Sequence, residues 1–174
     1  MTGYRAQGEK FLPAFFVEPV ELGQEFPLGE LPLHMTYFPP VQAPFRQESA
    51  NHLRGLINPL PPFVATVGDS AMFGPPDNPV HVKRIIKNDR LMNVHRRLVA
   101  ALQYLPHSPQ YRMPYNPHIT IPEGDDRVQT GDQIEIGGFS IVEQNKFRGT
   151  WQVMAKIGLK GAAMTTDSRI IRRQ

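Results

Sequence analysis

A chain of 174 residues, 40% hydrophobic and 20% charged, is long enough to bury one domain core and too apolar to stay disordered. It has no cysteine, which excludes a disulfide framework, a thiolate metal site and a cysteine nucleophile, and permits a reducing compartment. A net charge of +3 and a pI of about 9.3 suit an anionic ligand but not the dense basic stripe of a duplex-DNA binder.

Residues 1–10 are polar and read as a loose arm. Phe11 to Leu22 mixes aromatics and valine with prolines at 13 and 19 and is expected as an edge strand. Its apolar part is short and is soon interrupted by Glu18 and Glu21, so neither a signal peptide nor a membrane span is expected, and the cytoplasm is the default location. Leu28 to Phe38 holds a strand stopped by Pro39-Pro40. Gln47 to Ile57 has Leu53, Leu56 and Ile57 at helical spacing and ends at Asn58-Pro59.

Phe63 to Val67 is β-rich, Gly68-Asp69-Ser70 reads as a bend or bulge, and Ala71 to Phe73 continues the strand. Val80 to Ile86 alternates as a further strand. Asn88-Asp89 offers an N-cap for a helix with the stripe Leu91, Val94, Leu98, Ala101, Leu102 and Leu105, stopped by Pro106. After a proline-bearing loop, Pro117 to Ile121 forms a short strand. Gln133 to Val142 and Trp151 to Leu159 are expected as two more strands, and residues 161–174 as a polar, mobile tail.

Two of these runs repeat one pattern, His34-Met35-Thr36-Tyr37 and His118-Ile119-Thr120-Ile121. Side chains alternate across a strand, so His34 and Thr36 share one face, as do His118 and Thr120, while the apolar residues between them face a core. Either run alone is ordinary; two of them about half the chain apart read as a site written twice. Splitting a phosphodiester requires a base for the attacking hydroxyl and an acid for the departing oxygen. Imidazole, with an unperturbed pKa of about 6.5, serves either role. A hydroxyl two residues along the same face can donate to the nonbridging oxygens as they gain charge. The scheme requires neither metal nor cofactor.

These tetrads resemble the signature of the 2H phosphoesterases, the family of 2′-5′ RNA ligase-like proteins and RNA 2′,3′-cyclic phosphodiesterases, over roughly residues 28 to 160. Pro117 and the paired runs from Phe63 to Ile86 fit the same pattern. The first tetrad departs from it, running into Phe38-Pro39-Pro40 where the family often has Leu-Gly. The resemblance implies that His34, Thr36, His118 and Thr120 are catalytic and phosphate-binding. Which histidine is acid and which base stays open.

The order of elements, together with the resemblance, gives an expected α+β fold. It is bilobal and pseudo-symmetric, with two antiparallel sheets, helices outside and a central cleft. Residues 1–160 would form this single domain, with lobes near 28–87 and 88–160 and the N-terminal strand attached. Phe38, Tyr115 and Trp151 are candidate surfaces for a stacked base, each with core packing as the alternative; Arg148, like Lys83 and Arg84, is a candidate phosphate contact, with an ordinary solvated charge as the favoured alternative. The expected activity is phosphodiester hydrolysis or cleavage by a monomer. Its partner would be a nucleotide, a cyclic oligonucleotide or an RNA end. The alternative is a module that binds such ligands in the same cleft without turnover. Spacings for a histidine-carboxylate metal site, a Walker phosphate loop and a dinucleotide fingerprint are missing.

Overall fold

In a computed structural model, residues 9–107 and 114–161 are described in full and residues 169–171 by their backbone. The elements in chain order are β1 (Lys10–Phe16), β2 (Glu25–Pro27), β3 (His34–Thr36), α1 (Gln47–Ile57), β4 (Phe63–Phe73) and β5 (Val80–Ile85). They continue with α2 (Asp89–Leu102), β6 (His118–Thr120), β7 (Gln133–Ile136), β8 (Gly138–Asn145), β9 (Thr150–Gly158) and β10 (Arg169–Ile171).

The strands join into one ten-stranded sheet in the order β10-β7-β4-β5-β6-β3-β1-β8-β9-β2, instead of the two sheets expected. Every neighbouring pair is antiparallel. The two short motif strands, β3 and β6, lie side by side at its middle, with four further strands on each flank. The flanks are not successive halves of the chain. β4 and β5 lie with β6, and β8 and β9 with β3, an arrangement that cuts across the lobes expected at 28–87 and 88–160.

Cross-strand partners share a face of the sheet, so the register sorts the side chains. Phe15 pairs with Met35 and Met35 with Ile119, and all three belong to the main core with Leu53 and Ile57 of α1 and Leu91 and Leu98 of α2. Both helices therefore cover this one face. On the opposite face a smaller cluster of Leu12, Ala14, Phe16, Phe26, Val142, Trp151 and Val153 covers the β1–β8–β9 flank. The centre of that face is left for the motifs.

Local sequence explains most element limits. Asn88 caps α2, its side chain accepting from the Leu91 amide at 2.9 Å, while its own side-chain amide reaches the Val64 carbonyl of β4 at 3.2 Å. The β4–β5 register shifts between Val67 and Ser70, where Gly68-Asp69-Ser70 forms the expected bulge. Several expectations fail. β1 is interior, paired on both sides with β3 and β8, because its Phe and Leu residues are apolar on both faces. The run 133–142 is two strands broken at Gly137, β7 pairing β4 and β8 pairing β1. The segment 169–171, expected within a mobile tail, adds a strand to β7. Among the described residues no helix is long and apolar enough to cross a membrane.

Candidate active site

Three-residue strands hold both motifs. Met35 (1% exposed) and Ile119 (0%) are opposite each other on the core side and fix the β3–β6 register. Antiparallel pairing around that point puts His34 opposite Thr120 and Thr36 opposite His118, all four on the face away from the helices. Including the outer strands, one cross-strand row reads Ala14–Thr36–His118–Arg84 and the next Phe16–His34–Thr120–Val82. The motifs therefore form a two-by-two array in which each imidazole stands beside the hydroxyl of the other motif.

Both rings are held alike. His34 Nδ1 lies 2.8 Å from the Pro32 carbonyl and His118 Nδ1 lies 2.7 Å from the Asn116 carbonyl, each two residues upstream. A carbonyl only accepts, so each Nδ1 carries the proton and each neutral ring keeps its lone pair on Nε2. The proline that precedes each motif's core supports this turn: Pro32 supplies one carbonyl itself, and Pro117 follows the other.

An aromatic ring also supports each imidazole. Phe16 packs on His34 at 5.7 Å between centroids and stacks on Phe26 at 6.4 Å. Phe73 meets His118 edge-on at 4.8 Å, and the Arg84 guanidinium stands 5.8 Å from the Phe73 centroid. The surroundings are otherwise unequal. Burial pulls His34 below the ordinary imidazole pKa; its hydrogen bond to Pro32 opposes this and nearby His118 adds to it.

The remaining candidates lie elsewhere. Phe38 is 1% exposed and packs edge-on against His107 in the main core, because β3 ends at Thr36 and alternation no longer governs it. Tyr115 is buried and parallel to His95 at 3.9 Å, and its hydroxyl donates to the Thr36 carbonyl at 2.8 Å. It positions β3 and offers no free face to a base. Trp151 and Arg148 belong to the β8–β9 hairpin, and β1 and β8 separate β9 from β3, a span of roughly 14 Å at the usual strand spacing. There Trp151 is buried in the smaller cluster under Lys10 and Arg148 pairs with Glu25 at 3.2 Å. Lys83 points to the helix side and donates to Thr130 at 3.0 Å. Phe16 and Phe73 carried no signal in the sequence, since only the register reveals which ring faces a histidine.

An open cavity of about 310 Å³ adjoins the array, lined by Phe73, Arg84, Ile85, Lys87, Asn116 and Pro117. Another of about 330 Å³, where β1 and β8 diverge, contains neither motif. Among the described residues no three His, Asp or Glu side chains converge as a metal site.

The family model of the 2′-5′ RNA ligase superfamily matches residues 17–153. No curated protein matches the chain. Among solved structures, TT0787 of Thermus thermophilus superposes with a TM-score of 0.62 at 19% identity, over 88% of this chain and 100% of that one. LigT of E. coli complexed with NADP+ gives 0.55 at 16% identity, over 88% and 99%. LigT complexed with 3′-AMP gives 0.53 at 16% identity, over 87% and 98%. At these identities the likeness is one of fold.

Proposed function

The chain belongs to the 2′-5′ RNA ligase superfamily, the 2H phosphoesterases, and within it we propose a metal-independent phosphodiesterase. Its substrate would be a nucleotide or RNA phosphodiester: a 2′,3′-cyclic phosphate, a 2′-5′ linkage or a cyclic oligonucleotide. The observation that carries this reading is the cross-strand array, two imidazoles with Nε2 available and a threonine hydroxyl beside each. LigT, of like fold, is complexed with nucleotides, which supports a ligand of that class.

The two rings divide the work by their surroundings. His34 is the more enclosed and favours its neutral form, so we assign it as the base that takes the proton from water or a ribose hydroxyl. His118, as imidazolium, then donates its Nε2 proton to the departing ribose oxygen. Thr36 and Thr120 donate to the nonbridging oxygens as negative charge builds there. Solvent exchange returns both rings to their starting protonation.

A panel of 2′,3′-cyclic mononucleotides, 2′-5′ oligoadenylate and cyclic di- and trinucleotides, with products identified by mass spectrometry, tests this. The expected result is cleavage of at least one class at a rate that EDTA leaves unchanged. Complete loss in EDTA contradicts the scheme. Measurable affinity with the ligand recovered intact would instead make the chain a nucleotide-binding module.

A further inference from the structure

The two cross-strand rows differ at their outer ends, and the difference points to substrate choice. The outer neighbour of His34 is Phe16, a buried ring; that of His118 is Arg84, an exposed cation. Arg84 is 5.8 Å from the Phe73 ring, and that ring also supports His118, so one side chain orients both the imidazole and the guanidinium. Exposed Lys87 lines the same cavity. The ion pairs among the described residues involve neither cation. Among the described residues no acidic side chain lines the cavity.

The position of the cavity decides which anion it suits. It borders Asn116 and Pro117, the segment whose carbonyl holds His118 Nδ1. The scissile phosphorus must face Nε2, the other side of that ring. An anion beside Arg84 and Lys87 is therefore a second phosphate, one removed from the bond that breaks. Resting on the phosphodiesterase reading, we propose that Arg84 and Lys87 form a subsite for the phosphate adjoining the scissile one. The preferred substrate is then an oligonucleotide or a terminally phosphorylated dinucleotide, with its extra phosphate on the His118 side.

Binding tests this without requiring turnover, so failure to cleave and failure to select a second phosphate come apart. The probes are phosphorothioate-linked diadenylates, which resist cleavage: one unphosphorylated, one with a 5′-phosphate and one with a 3′-phosphate. One of the phosphorylated pair, and not both, should bind about tenfold tighter than the unphosphorylated probe, the scale of a charge-assisted contact. That ratio should fall toward unity in Arg84→Gln, be partly kept in Arg84→Lys and fall in Lys87→Gln, with a shallower salt dependence by about 0.7 per cation removed. Inorganic phosphate alone should bind at least tenfold more weakly than the phosphorylated probe. Equal affinity of all three diadenylates for the unaltered protein overturns the subsite, as does an unchanged ratio in both glutamine variants. Inorganic phosphate binding as tightly as the dinucleotide makes it a free-phosphate site and overturns it too.

Discussion

Tyr37 carries its hydroxyl into the main core, 0% exposed, with no hydrogen-bond partner among the described residues. Burial raises its pKa, so it stays neutral. A buried hydroxyl left unpaired costs about 1–3 kcal/mol, whereas the ring keeps its contact with Phe139 at 5.6 Å whether or not the oxygen is there. Tyr37→Phe should therefore raise the unfolding free energy by about 1 kcal/mol in denaturant titrations. A loss of similar size would mean that the hydroxyl is satisfied. At this scale the four central residues were legible because alternation in a strand is a local rule, and β3 and β6 obey it from His34 to Thr36 and from His118 to Thr120. Phe38 lay two residues beyond the end of β3, where the rule no longer holds, and Tyr115 needed a partner on α2 that no spacing reveals.

Between elements, a chain of ring and hydrogen-bond contacts runs from α2 to a motif strand: His95 stacks on Tyr115, and Tyr115 holds the Thr36 carbonyl. His95 is 2% exposed, and burial, with Lys87 and Arg96 adding to it, lowers its pKa from 6.5 to about 4. The folded-state value is the depressed one. Between these values the unfolded chain binds a proton that the folded chain refuses, so stability is full above pH 6.5 and falls as pH drops toward 4. From pH 7 to pH 5 this amounts to about 2 kcal/mol. His95→Phe, which keeps a ring against Tyr115, should flatten the pH dependence by that amount in unfolding titrations; an equally steep variant would place the sensitivity elsewhere. The helices were readable in advance, since α1 begins and ends at Gln47 and Ile57 as its spacing requires and α2 starts at its cap. The strands 133–136 and 138–145 were not, because a continuous apolar run does not say where the chain changes partners.

Over the whole molecule, the strands form one ten-stranded sheet. Four strands flank the motif pair on each side, helices seal one face and the smaller cluster covers part of the other. The array stands at the centre of the face the helices leave uncovered. No local pattern encodes that arrangement, since β4 joins β7 and β1 joins β8 across long stretches of sequence. Strand order also sets Trp151 and Arg148 on the far side of β1 and β8 from β3, and brings Arg84 beside His118. The central claim is that His34 and His118 act as base and acid on one phosphorus. Its most direct test is kcat/KM against pH on the best substrate, for the unaltered protein, His34→Ala and His118→Ala. The account predicts a bell whose acid limb lies below 6.5, because burial depresses His34 and the base fails only once it is protonated. Each variant should lose about 10²–10⁴-fold. Full activity in either variant would contradict it.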